Sequence, residues 1–388
     1  MGLPTGYDIL GYGRMVTSEP RMSAYAQALR EAITPGCAVI DIGAGPGIFS
    51  VLACQYGADS VVAIEPGDII QLGRQFAAAN DCADRIAFVQ GLSTDYRPSS
   101  KADVIISDIR GGLPLFERHI PAIIDARERL LRPGGSLIPM RDTIRIALAE
   151  NAEAYLLHEK PWLDNRFGLD LSAGASFATS VRTKAAMSQA DLLSDAKDLL
   201  VLDYREVTQT DADCSVSLVA TRPGTAHGLQ LWFDAELADR IGFSTAPGEP
   251  EQIYGQNFFP LARPVQLAPG DCVDVQVTAR LVDGSYVWGW NSSIRRAGSG
   301  GPEVSVRQSS FGATVMSPDS LRTRAGDYVP PARNDHEVDR FCLSLIDGKL
   351  SLAEIAAAAQ AEFPGQFANS AKALNHVVKL TNRYRQCP

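Results

Sequence analysis

Residues 41–47 read DIGAGPG, between the apolar runs CAVI and IFSVLA. Gly43, Gly45 and Gly47 let a strand turn tightly into a helix and let a ligand approach the backbone. The helix N-terminus adds a positive dipole end. Glu65 closes the next apolar run, where a carboxylate can take both hydroxyls of a ribose. Dinucleotide binders favour G-x-G-x-x-G with an acid about twenty residues on. Here the spacing is G-x-G-x-G with Asp41 ahead of it. That pattern favours S-adenosylmethionine, which has no pyrophosphate and needs polar partners for a zwitterionic methionine tail. A turn that holds no ligand is the structural alternative.

Asp108 and Glu117 are two acids nine residues apart after the apolar run VIIS, a spacing that by itself assigns them no role. Methyl transfer is an in-line displacement at a sulfonium, so positioning supplies much of the rate. A protonated guanidinium is a poor nucleophile, with a pKa above about 12. Two carboxylates can hold it and localise its charge on the distal nitrogens. Asp108 would serve as a base instead if the acceptor carried a hydroxyl or a carboxylic acid. Glu117 has a structural alternative, pairing with Arg118 or Arg110. His119 reads as a helix-start residue. Ser93 and Thr94 follow a third apolar run and are candidates for adenine contact, with Asp95 equal to them. Tyr12, Arg110 and Tyr254 are candidate substrate contacts. No cysteine or histidine spacing indicates a metal site.

These side chains need a frame. Apolar runs at 38–42, 61–65, 86–89, 104–107 and 136–139 alternate with helical patterns at 48–55, 69–80 and 120–131. Such alternation predicts a parallel sheet covered by helices on both faces. An earlier helix is expected over 18–33, with Pro20 in its first turn and a mobile lead-in around Gly11 and Gly13. After residue 142, strand-like runs recur between turn residues, at 143–148, 199–207, 214–221, 229–233, 265–267, 272–281 and 286–290. They predict an all-β module, barrel or sandwich, interrupted by a helical insert over 187–200. Trp288 and Trp290 alternate with Gly289 and so face one side, toward a barrel core. AGSGG at 297–301 reads as a loop and 318–334 as a linker. Residues 335–388 read as helices, with Ser351 and Glu354 forming a capping box.

The chain has 388 residues, which favours two or three domains. Its net charge of −9 disfavours a partner tracked by phosphate contacts, such as a nucleic acid. Seven cysteines, widely spaced and odd in number, fit a reducing compartment, and Cys37 and Cys54 read as buried packing residues. No apolar stretch is long enough to cross a bilayer and the N-terminus lacks a signal-like core, so a cytoplasmic location is expected.

VIDIGAGPGIFSVLACQYGADSVVAIE resembles the cofactor motif of the protein arginine methyltransferases, a class I S-adenosylmethionine-dependent family. VIISDIRGGLPLFERHIPAIIDARERLLRPGGSLIP resembles that family's substrate loop and following helix. WLDNRFGLDLS, at 162–172, resembles the segment entering its β-barrel, and GFSTAPGEPEQIYGQNFFPL, at 242–261, a late barrel loop. The similarity covers most of residues 7–290 in order.

The resemblance implies a fold of α/β plus β class: a Rossmann-like domain over 1–141, then a β-barrel substrate domain over 142–320. It also implies a helical arm at about 173–200 that makes a homodimer, and an active site between domain and barrel. Arg21 and Tyr25 match the family's R-x-x-x-Y, whose arginine pairs with the cofactor carboxylate. Asp108 and Glu117 match its two guanidinium-gripping glutamates, the first shortened by a methylene. Two further departures stand out. Gln252, Ile253 and Tyr254 replace its Thr-His-Trp, Arg110 replaces its usual Met, and Arg110 can neutralise one carboxylate. The module at 335–388 lies outside the family architecture. Its L-x-D-G-x-x-S-x-x-E-I resembles a winged-helix element that holds leader peptides, and a helical bundle is the alternative. The reading is therefore a methyltransferase acting at N or O on a peptide or small-molecule, natural-product-type acceptor. Arginine methylation of a protein, or an inactive cofactor-binding partner protein, are its alternatives.

Overall fold

The computed structural model describes residues 8–299, 304–332 and 335–384, the side chains of 382 and 383 excepted. The chain divides into two compact units after Val315. The first begins with α1 (Ile9–Thr17) and α2 (Glu19–Ala32). Asp8 caps α1 by accepting from the Gly11 amide at 2.6 Å. Gly11 and Gly13 are therefore helical. Then come β1 (Ala38–Ile42), α3 (Ile48–Gln55), β2 (Ser60–Glu65), α4 (Ile70–Ala79), β3 (Ile86–Gln90), β4 (Ala102–Ser107), α5 (His119–Asp125) and β5 (Leu131–Ile138). The expected 120–131 helix thus ends early, in a π-helical turn at Ala126–Leu130. The five strands are parallel in the order β3-β2-β1-β4-β5. The chain winds outward from β1 in one direction and resumes at β4 on its other side. Ligands of such sheets bind outside the strand ends at this switch point.

An antiparallel, barrel-like region follows: β6 (Arg141–Ala149), β7 (Thr183–Lys184), β8 (Lys197–Asp203), β9 (Ala212–Val219), β10 (Gly224–Ala238), β11 (Ile241–Ser244), β12 (Asn257–Leu267), β13 (Cys272–Val282), β14 (Ser285–Arg295) and β15 (Val304–Ser309). They form two sheets, β7-β12-β10-β6-β8 with β11 on β10, and β15-β14-β13-β9. One apolar cluster joins both layers of the unit, with Ile40 and Ile105 of the parallel sheet in the same cluster as Leu148, Phe259, Trp288 and Trp290. Leu113 and Leu115, from the loop after β4, are buried in it and anchor that loop.

The helical insert is displaced from its expected place. α6 (Ala152–Leu163) and α7 (Ser172–Ala178) lie between β6 and β7, so WLDNRFGLDLS ends α6 and leads to α7. Asn151 caps α6, accepting from the Ala154 amide at 2.8 Å. Residues 187–200 hold only a 3-10 turn at Gln189–Asp191 and the start of β8, whose Leu200 and Leu202 pair with Ile144 and Asp142 of β6. Pairing to a neighbouring strand overrides the helical apolar spacing there.

The second unit holds α8 (Pro318–Arg322), inside the expected linker, then α9 (His336–Ser344), α10 (Leu352–Glu362) and α11 (Ser370–Tyr384). Asn334 of that linker, Gly300 and Gly301 of the AGSGG stretch, and Cys387 lie outside the described residues. Ser351 and Glu354 close the capping box reciprocally. Val338, Cys342, Ile355, Ala359 and Val377 form the unit's own core. Among its described residues there is no strand, which fits the helical-bundle reading of this stretch rather than the winged-helix one.

Candidate active site

The turn after β1 is built for close approach. Gly43, Gly45 and Gly47 have φ of 68°, 54° and 73°, a region that favours glycine. A Cβ on Gly43 would lie 2.1 Å from Cγ2 of Ile109, and one on Gly45 3.0 Å from the Tyr12 ring. Gly43, Gly45, Tyr12, Glu65, Ile109 and Tyr254 help to line a cavity of about 520 Å³. Glu65 accepts from the Gly45 amide at 3.1 Å on one oxygen and from the Gly67 amide at 2.7 Å on the other. Each oxygen keeps a lone pair for a ribose hydroxyl. A second cavity, of about 320 Å³, lies against Gly91, Leu92, Ser93, Ile109 and Glu117. Ser93 is buried there, while its carbonyl accepts from Arg129 at 2.7 Å. Asp283 and Gly284, the tip of the β13–β14 hairpin, reach this cavity too, a contact the sequence reading missed.

Three expected cofactor contacts are placed elsewhere. Asp41 is buried behind the turn, where Ser50 of α3 donates to it at 2.7 Å. Burial raises its carboxyl to about 7 against that hydrogen bond. It fastens β1 to α3 and touches neither cavity. Gly47 caps α3 against Phe88, and Thr94 is exposed with its carbonyl accepting from Arg97.

The carboxylates of the substrate loop differ from each other. Asp108 is almost fully buried. Arg21 Nε donates to its Oδ2 at 2.6 Å, Arg110 Nε and Nη2 donate to its Oδ1 at 3.3 and 3.2 Å, and the Tyr254 hydroxyl lies 2.6 and 2.7 Å from its two oxygens. Burial alone would raise its pKa, but Arg21, then Arg110, and the Tyr254 hydrogen bond hold it down at about 2. Asp108 is thus bonded to internal donors at the wall of the same 520 Å³ cavity that Glu117 lines. Glu117 is exposed, lies at the edge of both cavities and has no hydrogen bond or ion pair among the described residues, so neither Arg118 nor Arg110 claims it. Its φ is 42°, a backbone conformation costly for a non-glycine residue and found most often at functional sites.

Arg110 has no exposed side-chain surface. Its Nη1 donates to Asp142 at 2.7 Å and its Nη2 to the Tyr25 hydroxyl at 2.6 Å. Its guanidinium carbon lies 5.3–5.8 Å from the ring centres of Tyr25, Phe233, Phe243 and Tyr254. Asp142 also accepts from the Tyr204 hydroxyl at 2.5 Å, which lies 3.1 Å from His119 Nε2. Burial, reinforced by Arg110, lowers His119 to about 3, so the ring is neutral. Tyr204 spends its one hydrogen on Asp142, so His119 donates from Nε2. Sequence reasoning missed Asp142 and Tyr204. A signal existed for Asp142, which lies in phase with Ile144, Ile146 and Leu148 on the buried face of β6.

The residues present fit S-adenosylmethionine. The glycine cradle leaves backbone-close room that a Cβ would fill, and Glu65 faces it. Arg21 lines a small cavity of about 60 Å³ beside Gly43 and Gly45, and its Nη2 has no hydrogen bond among the described residues, a donor for a tail carboxylate. A larger cavity of about 740 Å³ adjoins the 520 Å³ one, sharing Met15 and Ile253, with Arg14, Lys184, Glu249 and Glu251 among its walls. Gln252 is buried and donates to the Ser244 carbonyl, bracing that wall.

A family model described as the arginine methyltransferase oligomerization subdomain matches residues 141–284. One described as ribosomal protein L11 methyltransferase matches residues 22–139. The chain is similar to protein arginine N-methyltransferase 1 of Schizosaccharomyces pombe, 27% identical over 254 residues, covering 64% of this chain and 74% of the relative. It is also similar to the arginine N(omega)-methyltransferase of Streptomyces achromogenes subsp. streptozoticus, 26% identical over 270 residues, covering 68% and 74%. Other relatives are covered over as little as 53% of their length. Among solved structures, the Trypanosoma brucei PRMT1 enzyme-prozyme heterotetrameric complex with AdoHcy aligns with a TM-score of 0.70 at 19% identity, over 77% of this chain and 97% of that one.

Proposed function

For this chain, a protein arginine methyltransferase-like class I S-adenosylmethionine-dependent methyltransferase, we propose that the acceptor is a guanidinium nitrogen of a peptide or small molecule. The observation that carries this reading is Glu117, an unpartnered carboxylate held in a costly backbone conformation at the edge of the cofactor cavity. The relatives named for arginine as acceptor favour nitrogen over oxygen within the wider range of acceptors the sequence allows.

S-adenosylmethionine supplies a methyl group on a sulfonium sulfur. Glu65 holds ribose hydroxyls and Arg21 Nη2 a carboxylate, which fixes where that sulfur lies. Glu117 pairs with the acceptor cation and turns one nitrogen toward the glycine turn. Transfer to nitrogen releases a proton, and the Glu117 carboxylate has free lone pairs to take it. Tyr12 and Met15 of α1 line the cavity. The 740 Å³ cavity is large enough for the chain that carries the guanidinium.

Exposed Leu156, Leu157, Phe167 and Leu169 of the α6–α7 insert supply an apolar surface for a homodimer.

Purified protein with radiolabelled S-adenosylmethionine, arginine, and arginine-containing peptides tests the acceptor. Label on a guanidinium, located by mass spectrometry, is the expected result. Glu117→Gln should lower kcat/KM at least about tenfold while cofactor affinity stays within about twofold, since one charge-assisted pair is lost. Label on oxygen, or equal turnover by the variant, would overturn the reading.

A further inference from the structure

Asp108 has about four lone-pair positions and is surrounded by donors that nearly fill them. Arg110 faces Oδ1 with two nitrogens, Arg21 faces Oδ2, and the Tyr254 hydroxyl bridges both oxygens. An acceptor cation could use this carboxylate only by displacing one of them. Arg110 cannot step aside. Asp142 grips its other edge at 2.7 Å, Tyr25 takes Nη2, and four aromatic rings enclose the guanidinium. Asp142 is itself fixed by Tyr204, which His119 braces in turn. Two arginines and two aspartates balance in charge, and pulling Asp108 away would leave the buried Arg21 guanidinium without a carboxylate and Arg110 with Asp142 alone, an unfavourable state.

We propose that Arg110, pinned by Asp142, is a specificity-determining residue that withholds Asp108 from the acceptor, so that Glu117 alone grips the acceptor cation. Asp142, Tyr204 and His119 are positioning residues that act through Arg110. The proposal rests on the guanidinium reading above. It differs from the two-carboxylate grip that the motif spacing implies, and Arg110 stands where the resembling family usually carries Met.

Ethylguanidinium, titrated by calorimetry into the full chain saturated with S-adenosylhomocysteine, reads the grip without turnover. Glu117→Gln should weaken its binding at least about a hundredfold, because no second carboxylate is available. A variant that stays within about tenfold of the native chain would show Asp108 sharing the grip and overturn the proposal. The pair Arg110→Met with Asp142→Asn removes one buried charge of each sign and takes both Arg110 donors off Oδ1 of Asp108, leaving the Tyr254 hydroxyl there. It should bind ethylguanidinium at least about fivefold tighter, and Glu117→Gln should then cost about tenfold or less. Arg110→Gln with Asp142→Asn repeats this with a closer match in shape. Unchanged affinity in a folded pair, judged by intact S-adenosylhomocysteine binding, overturns the proposal. A native chain that binds S-adenosylhomocysteine but not ethylguanidinium refutes the guanidinium reading itself and takes the proposal with it. Native binding retained by Glu117→Gln refutes the one-sided grip alone.

Discussion

Gly43→Ala is a test of how the cofactor turn is built, and its cost has two separable parts. An alanine at φ of 68° pays the left-handed penalty of about 1–2 kcal/mol. The new Cβ also falls 2.1 Å from Cγ2 of Ile109. Ile109 is only partly buried, so it can move, at about 0.5–1.5 kcal/mol for an off-rotamer side chain. Both residues line the 520 Å³ cavity, so the displaced Ile109 moves within space the cofactor needs. Calorimetry of S-adenosylhomocysteine binding to the native chain, Gly43→Ala, Ile109→Ala and the double variant separates the parts. The glycine variant should bind at least about tenfold more weakly, a loss of about 1.4 kcal/mol. The double variant should recover the clash part of that loss and keep the backbone part. Binding by Gly43→Ala within about twofold of native would refute the cradle. A double variant no better than the single one would refute the clash.

Glu65→Ala should weaken S-adenosylhomocysteine at least about tenfold, by calorimetry, since a carboxylate to ribose hydroxyls is lost; native affinity would place the ribose elsewhere. Asp41 gives a pH signature. Its folded-state pKa, about 7 against 3.8, is raised, so its contribution is fully present below pH 3.8 and drains away as pH rises through 7. Between pH 5 and 8 this amounts to about 2–3 kcal/mol. Urea unfolding should show the decline in the native chain and a flatter profile in Asp41→Asn; parallel profiles would disprove the assignment. Leu157→Ser with Phe167→Ser, both exposed on the insert, should lower the mass measured by light scattering to that of one chain while cofactor affinity persists. An unchanged mass would exclude the insert as the dimer surface.

The glycine turn was readable because its chemistry is local: strand, tight turn and helix lie within twenty residues, and Glu65 ends the neighbouring strand. The pairing of Asp108 with Glu117 was legible only through the family resemblance, which gave the nine-residue spacing its meaning. Their difference in state was not legible. Arg110, two residues on, was legible as a partner that neutralises one carboxylate, but Asp108 is also held by Arg21 and Tyr254, 87 and 146 residues distant, and nothing near it in sequence reports their approach. The insert was misplaced because DLLSDAKDLL carries helix-like apolar spacing, yet its leucines complete a sheet beside β6. The true helix α6 was hidden for the opposite reason. Pro161 lies inside it and Leu156 and Leu157 point outward, so no apolar stripe marks it.

Met15 lines the 520 Å³, 60 Å³ and 740 Å³ cavities alike. The first helix is therefore a shared wall, and a ligand seated against one of its sides shapes the room left on the other. A change at Met15 is thus felt in all three spaces at once.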